Sequence, residues 1–267
     1  MEMREVAPAP KLIYVQASEH VGTITLNQPA KRNALSEPLV EESLSALVGF
    51  EKNGVRAVVI RAAPDAKVWS AGHDISELPQ GKDPLPYSDS LERLLRAIKR
   101  FPTPIIAMVH GSVWGAATDL VLSCDIIVGD ETCSFAITPV NIGLAYNTAG
   151  LLTFMRRLPL NLVKEMFFTA NPVKAEEAAK WGILNHLVPA PDLEKFTYDL
   201  ARQITTKAPL VVSTVKEQLR ALTEAHPVPP EIFERIQELR HRVYQSKDYQ
   251  EGINAFREKR KPVFTGT

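Results

Sequence analysis

Cysteine is scarce in this sequence, and protein classes that depend on clustered cysteines do not fit it. The 267 residues include two cysteines, Cys124 and Cys133, each in or beside an apolar, strand-like segment. A disulfide framework needs more cysteines, and a metal site needs Cys–Xaa–Xaa–Cys or Cys/His clusters, which are missing here. We therefore expect buried, reduced thiols and no metal site, which favours a cytoplasmic setting.

The sequence also lacks an excess of charge of either sign and any long apolar run. Lys plus Arg total 31 and Asp plus Glu total 31, so neither nucleic acid nor an anionic membrane is indicated as a partner. No run of about 18 apolar residues exists, so no membrane-spanning segment is predicted. The start, MEMREVAPAP, has no apolar signal region and carries two glutamates, so neither a secretory signal nor a transit peptide is predicted.

What is present is the composition of a globular protein with alternating element patterns. Hydrophobic residues make up 45% and charged residues 23% of the chain. The stretches VRAVVIRAA and PIIAMVHG are typical of buried strands, and SDSLERLLRAIKRF of an amphipathic helix. After about residue 148 helical patterns dominate. These patterns predict an α/β fold, with a core over residues 1–200 and a helical region over residues 201–267.

The stretch VWSAGHDISELP interrupts an apolar run with a small-residue turn, residues 71–74. It predicts a strand that ends, a turn, and then a helix. A backbone N–H at such a turn is well placed to hold a negatively charged oxygen. Asp74 is expected to cap the following helix rather than to react.

A second stretch, PIIAMVHGSVWGAATDLVLSCD, repeats this order of strand, small-residue turn and helix start. Gly111, Gly115 and Ala116–Ala117 allow close backbone approach, and a helix is predicted from about Ala116. Two such turns can aim two amides at one oxygen, which is an oxyanion hole. The alternative is that these small residues only permit tight packing of helix on strand.

Four motifs in this order resemble the crotonase, or enoyl-CoA hydratase/isomerase, superfamily from about Leu12 to the C-terminus. They are NQPAKRNALS, WSAGHDI, GSVWGAATDLVLSCDIIV and GINAFREKRKPVF. The resemblance implies a crotonase fold of stacked ββα units with a helical C-terminal trimerisation region. It also implies an acyl-CoA substrate, homotrimers or hexamers, and no cofactor beyond the coenzyme A of the substrate.

The same resemblance assigns roles to individual residues. In this superfamily the thioester oxygen accepts from two amides, here those of His73 and Ala116. The implied catalytic residues are His73, Ala116, Tyr146 and Asp119. The implied substrate- and CoA-binding residues are Lys31, Ala71, Gly72, His73, Asp74, Ile75, Ala116, Thr138, Phe256 and Lys259. Three alternatives stay open: the imidazole of His73 as a general acid, Tyr146 as a core residue, and Asp119 as a solvated helix residue.

Hydratases of this superfamily resemble one another in using two glutamates to activate a water molecule. Here the first position is Asp119, one methylene shorter, and the second is Val140. Valine neither holds water nor moves a proton, so the hydratase pair is broken. Isomerases that rely on a carboxylate at the second position are excluded by the same residue.

A narrower resemblance is to a subgroup that decarboxylates methylmalonyl-CoA to propionyl-CoA. It is carried by SAGHDI, SVWG, PVNIG and the following YN. The sequence departs from that subgroup where Ala116 replaces glycine, Asp119 replaces glutamate and Ala145 replaces proline. Decarboxylation leaves an enolate, so an oxyanion hole and an apolar carboxylate pocket suffice for it without a base.

Two rival functions remain open at this point. One is a short-chain enoyl-CoA hydratase or isomerase with unusual residues. The other is a crotonase-like binding protein without catalysis, including one that binds RNA. Balanced charge and mixed-sign helices such as LERLLRAIKR do not favour RNA binding.

Overall fold

The structure is a computed structural model that describes residues 11–79, 82–225 and 228–267. Its strands are β1 (Ile13–Ser18), β2 (Val21–Leu26), β3 (Ala57–Ala62), β4 (Val68–Ser70), β5 (Ile105–Val109), β6 (Ser112–Trp114), β7 (Ile126–Gly129), β8 (Ser134–Ala136), β9 (Val173–Lys174) and β10 (His186–Leu187). Its α-helices are α1 (Glu37–Lys52), α2 (Ser90–Arg100), α3 (Ala116–Ser123), α4 (Thr148–Arg157), α5 (Leu160–Thr169), α6 (Ala175–Trp181), α7 (Leu193–Thr205), α8 (Pro209–Thr223), α9 (Pro230–Tyr244) and α10 (Lys247–Arg257). Single 3₁₀ turns cover Pro29–Lys31, Ile75–Glu77, Pro139–Ile142 and Ala190–Asp192.

The larger sheet has six strands in the order β1-β2-β3-β5-β7-β10. Its pairs are parallel apart from the antiparallel hairpin of β1 and β2. Strand β3 is buried on both faces: Val58 and Ile60 belong to the main core, while Ala57 and Val59 pack towards α7. Burial on both faces explains why β3 reads as a continuous apolar run.

Strands β1 and β2 form an antiparallel hairpin. Its two-residue loop is Glu19–His20, flanked by the paired Ser18 and Val21. Both loop residues have positive φ, 50° and 62°, which is the backbone of a type I′ turn. The turn matches the twist of the strands without glycine, so a search for glycine does not find it.

The smaller sheet, β4-β6-β8-β9, positions the two turns singled out in the sequence. β4 ends at Ser70 and β6 ends at Trp114, and the two strands are parallel neighbours. The carboxyl ends of parallel neighbours meet at one edge of a sheet. The turns that follow them, 71–74 and 115–116, therefore emerge side by side.

Three details differ from the sequence predictions. The turn at 71–74 does not lead into an α-helix, because only the 3₁₀ turn Ile75–Glu77 follows and α2 begins at Ser90. The C-terminal part also contains β9 and β10, each of two residues, too short to show periodicity. Residue 200, at which the predicted core ends, lies inside α7, and this helix packs on the larger sheet. The division into a core and a helical region stays a prediction.

The helices beyond α7 differ in how much of their surface is buried. None of the residues of α8 is buried, whereas α10 buries Tyr249, Gly252, Ile253 and Ala255. Among the residues that the structure describes, no helix combines the length and apolarity needed to cross a bilayer.

Candidate active site

The two turns come into direct contact at Gly72. A β-carbon at this position would lie 2.5 Å from the Trp114 carbonyl oxygen and 3.0 Å from the Ala116 nitrogen. Gly72 also has φ +83°, a conformation that side chains disfavour. Glycine is therefore required here, because it lets the peptide that leads to His73 rest against the backbone at 114–116.

Two backbone N–H groups on these adjoining turns have no hydrogen-bond acceptor in the described structure. Within the described part of the chain, neither the His73 N–H nor the Ala116 N–H donates to a protein acceptor. Ala116 is the first residue of α3, so its N–H is one of those that a helix leaves unpaired. The structure therefore places two unpaired N–H groups on adjoining turns, as the predicted oxyanion hole requires.

The first turn is fixed by hydrogen bonds rather than by a helix. The Leu35 N–H donates to the Gly72 carbonyl (2.8 Å), and the Gly72 N–H donates to Ser70 Oγ (3.2 Å). Both bonds hold Gly72, whose carbonyl belongs to the same peptide group as the His73 N–H. The predicted helix is wrong. The role predicted for the His73 N–H does not depend on that helix, because a restrained loop can present an amide as well as a helix does, and it stays a prediction.

The side chains of this turn face their own backbone and Lys31. His73 Nδ1 lies 3.0 Å from the Asp74 carbonyl; because a carbonyl only accepts, Nδ1 carries the hydrogen, and the neutral ring has no proton on Nε2. Asp74 accepts from the Ser76 N–H, as predicted for a cap, and pairs with Lys31 at 2.9 Å. Burial opposes ionisation of Asp74, but the hydrogen bonds from Ser76 and Lys31 outweigh it and lower the pKa of this carboxyl.

Asp119 and Tyr146 meet one helical turn beyond Ala116. Asp119 is 1% exposed, so the alternative that it is a solvated helix residue is wrong. Tyr146 Oη lies 3.4 Å from Asp119 Oδ2, and the tyrosine ring packs edge-on against Phe154 and Phe167. Burial raises the pKa of the Asp119 carboxyl, and burial beside that carboxyl keeps the pKa of Tyr146 well above its usual value.

The start of α4 closes around this pair, and sequence reasoning missed its parts. A β-carbon at Gly150 would overlap the Tyr146 ring and approach Asp119 Oδ2 to 2.7 Å. Asn147 caps α4 through the Gly150 N–H and donates to a buried acid on α2, Glu92. Glu92 sits among leucines in a helix that reads as amphipathic, so only the tertiary contact reveals it.

Residues 138–142 lie next to the second turn. A β-carbon at Gly115 would lie 3.3 Å from Thr138 Oγ1, so the structure places Thr138 beside the second turn. Val140 is on the following 3₁₀ turn and is 42% exposed. No carboxylate occupies this second hydratase position. Ile75, one of the predicted substrate-binding residues, packs against the apolar cluster around Leu78 and Tyr249.

Phe256 and Lys259 are the predicted CoA contacts that the structure does not bring to the turns. Both are exposed, Phe256 on the last turn of α10 and Lys259 just after it. No described hydrogen bond or ion pair connects either residue with the segments at 71–75 or 115–119. Helix α10 itself does border the site, because Gly252 lies against the Ile142 carbonyl.

The C-terminal helices hold the segment that carries Tyr146. The Tyr244 hydroxyl donates to the Ala145 carbonyl (2.8 Å), and the Tyr249 hydroxyl donates to the Pro79 carbonyl (3.0 Å).

In the part of the chain that is described, no three His, Cys, Asp or Glu side chains gather as a metal site would require.

We expect Tyr244→Phe to lower turnover several-fold as well as stability. The loss leaves the partly buried Ala145 carbonyl without this donor, a change that costs about 1–3 kcal/mol, and it loosens the residue next to Tyr146. Urea unfolding and steady-state turnover measure the two effects. Tyr249→Phe is the matched control, with a similar stability loss and a smaller change in turnover. Equal turnover losses in both variants would show that Tyr244 has no particular hold on Tyr146.

Comparison with known proteins agrees with this geometry. The chain is 47% identical over 247 residues to methylmalonyl-CoA decarboxylase of Escherichia coli (strain K12), covering 92% of this chain and 95% of that protein. A solved structure of methylmalonyl-CoA decarboxylase in complex with 2-nitronate-propionyl-CoA has a TM-score of 0.94 at 46% identity and covers 97% of this chain and 100% of that chain. The human enoyl-CoA hydratase domain-containing protein 3, mitochondrial, is 34% identical over 98% of this chain and 86% of its own. The model of the enoyl-CoA hydratase/isomerase family matches residues 16–267, and the chain belongs to that family.

Proposed function

We propose that this protein is a carboxy-lyase that converts methylmalonyl-CoA to propionyl-CoA and carbon dioxide, or decarboxylates a close malonyl thioester to the corresponding acyl thioester. The observation that carries the proposal is the contact of the two turns at Gly72, which places the unpaired His73 and Ala116 amides on adjoining backbone. The Tyr146 hydroxyl contacts Asp119, one helical turn beyond Ala116 on α3. The similarity to methylmalonyl-CoA decarboxylase over nearly the whole chain supports it.

The reaction follows from what the two amides stabilise. The thioester oxygen accepts from His73 N–H and Ala116 N–H, and Tyr146 donates to the substrate carboxylate. When the bond between the α-carbon and that carboxylate is perpendicular to the thioester plane, its electron pair moves into the enolate as carbon dioxide leaves. The enolate oxygen then carries the charge, and each amide contributes about 2.7–4 kcal/mol of transition-state stabilisation. A proton added at the α-carbon completes propionyl-CoA.

This route needs no base to start it and no electron sink beyond the thioester. We therefore propose that the enzyme uses neither a metal nor an organic cofactor, and that coenzyme A enters only as part of the substrate. Lys31, Phe256 and Lys259 are proposed to contact the coenzyme, the last two in the assembled oligomer. The buried, unpaired thiols of Cys124 and Cys133 suit a reducing compartment, and we propose the cytoplasm.

The function is tested by mass spectrometry of acyl-CoA mixtures. Incubation with methylmalonyl-CoA should give propionyl-CoA and carbon dioxide, whereas crotonyl-CoA should be recovered without added water. Hydration of crotonyl-CoA at an ordinary enzymatic rate would reject the argument from Val140 and favour the hydratase alternative.

We expect Val140→Glu alone to create little hydratase activity. Asp119 is one methylene too short to complete the pair, and Tyr146 occupies the space beside it. The double variant with Asp119→Glu should gain more than the sum of the single variants, because paired catalytic groups act as a unit. Crotonyl-CoA hydration by the three variants measures this, and an additive or absent gain in the double variant would mean that the pair is misplaced.

We also propose that the chain assembles as a homotrimer or a hexamer through its C-terminal helices. Helix α8 has no buried residue and presents apolar side chains to solvent, with Leu210 81% and Leu222 71% exposed. A strip of this kind on one helix is typical of an interface. Light scattering gives the mass that decides between trimer, hexamer and monomer.

A further inference from the structure

Asp119 is a buried carboxyl with unusually little to stabilise a negative charge. Its hydrogen-bond partners in the described residues are the hydroxyls of Tyr146 at 3.4 Å and Ser123 at 3.5 Å. Both distances are at the long limit for O–H···O bonds, which normally measure about 2.7–2.8 Å. No described ion pair includes Asp119, although it is 1% exposed. The two long hydrogen bonds and the charge of Lys99 only partly offset the desolvation cost of a carboxylate in such a place.

No charged group on α2 or α4 forms a described ion pair with Asp119, although the Lys99 ammonium favours its negative charge. The Lys99 ammonium donates to Thr153 Oγ1 (2.7 Å) instead, and the Thr153 hydroxyl donates to the Ala149 carbonyl (3.1 Å). The Thr153 hydroxyl therefore accepts from Lys99 and donates to Ala149, so its hydrogen is not donated to Asp119. The nearest other acid, Glu92, is 5% exposed, and its cation Arg96 is 3.9 Å away. A charge on Glu92 opposes a second charge on Asp119.

The hydroxyl of Tyr146 has one proton, and Asp119 decides where it goes. If Asp119 is ionised, its oxygen attracts that proton and turns the hydroxyl away from the substrate. If Asp119 is protonated, its O–H donates to Tyr146 Oη, and the Tyr146 proton is left for another acceptor. An ionised Asp119 would in addition repel a carboxylate placed beside Tyr146.

We propose that Asp119 is a positioning residue that works as a neutral carboxylic acid, donating to Tyr146 so that the Tyr146 hydroxyl is directed at the substrate carboxylate. The inference deepens the decarboxylase function proposed above and rests on it for the identity of the acceptor. It assigns Asp119 a role opposite to that of a water-activating glutamate, which has to be ionised to act as a base.

The pKa directions agree with this arrangement and set the sign of the pH dependence. Burial raises the pKa of Asp119, with Lys99 and the neighbouring hydroxyls opposing it, and burial likewise raises the pKa of Glu92. Tyr146 stays protonated, since its pKa lies well above the usual value. Turnover should therefore be fully present below the raised pKa of Asp119 and be lost as the pH rises through it. Stability follows the same sign, because the unfolded chain ionises Asp119 at lower pH.

The protonation state is measured without any substrate by infrared spectroscopy. The spectrum of the wild type minus that of Asp119→Asn should show the C=O stretch of a protonated carboxylic acid at neutral pH, and this band should fade at alkaline pH. Glu92→Gln is the matched control, because Glu92 is the other buried acid nearby, and the Asp119 band should persist in it. Absence of the band at neutral pH overturns the proposal, whatever the enzyme decarboxylates.

The kinetic consequence is a change in the pH profile. An asparagine amide donates to Tyr146 Oη as a protonated acid does but does not titrate. We expect Asp119→Asn to lose up to about tenfold in turnover at the optimum, roughly the worth of one altered hydrogen bond, and to lack the alkaline fall of the wild type. An unchanged alkaline fall, or a loss above a hundredfold in a folded variant, contradicts the neutral role. If the infrared band is present but methylmalonyl-CoA is not decarboxylated, the proposed function fails while the neutral acid stands.

Discussion

Gly72→Ala should lower decarboxylation by about two to three orders of magnitude, the range measured when one oxyanion-hole donor is lost. The added methyl carbon would stand 2.5 Å from the Trp114 carbonyl and 3.0 Å from the Ala116 nitrogen. Both neighbours are backbone atoms of a parallel strand end and a helix start, so they do not move aside as a flexible side chain does. The two turns must separate, and the His73 and Ala116 amides then no longer point at one oxygen.

The control for this substitution is Gly182→Ala. Gly182 has φ +81° against +83° at Gly72, and a β-carbon there meets nothing within 4 Å. Alanine pays the same backbone penalty at both positions, whereas only Gly72 adds the collision. Thermal unfolding should therefore show a loss in both variants, and turnover should collapse in Gly72→Ala alone. Comparable turnover in the two variants would mean that the amides of the turns do not form the reaction site.

The sequence predicted the parts of the site that depend on local backbone. Small residues after a strand mark a turn, and the structure brings the two turns so marked, at Gly72 and Gly115, together; that their amides hold one oxygen stays a prediction. The same reasoning failed just beyond Asp74, where an α-helix was predicted. Asp74 caps a 3₁₀ turn as readily as an α-helix, and the buried Tyr249 side chain, bonded to the Pro79 carbonyl, holds the chain after that turn.

What could not be predicted depends on contacts between distant segments. Glu92 looks like the polar side of an amphipathic helix, and Tyr244 lies 98 positions after Tyr146 in the chain but is bonded to its neighbour Ala145. Periodicity carries no information about such contacts, because it reports which face is buried and not what the face meets. The protonation of Asp119 is of the same kind, since it is set by groups on three helices.

Tyr146→Phe should lower decarboxylation of methylmalonyl-CoA about ten- to a hundredfold, because a hydrogen bond to a charged group is worth about 1.5–3 kcal/mol. The substitution removes one oxygen and keeps the ring. The edge-on contacts with Phe154 and Phe167, whose ring centroids lie 6.2 Å and 5.1 Å away, are therefore retained. Only the donor to the carboxylate is lost, and with it the partner of Asp119.

Binding measurements separate this role from a role in packing. Propionyl-CoA has no carboxylate, so it should bind equally to the wild type and to Tyr146→Phe. Tyr146→Phe should also have a smaller alkaline fall in turnover, since Asp119 then has no hydroxyl to redirect and only its repulsion of the carboxylate remains; adding Asp119→Asn to it should leave the pH profile flat. If Tyr146→Phe decarboxylates at the rate of the wild type, Tyr146 is a core residue and another group holds the carboxylate. If the rate falls but the alkaline fall persists in the double variant with Asp119→Asn, a titrating group other than Asp119 sets the pH dependence.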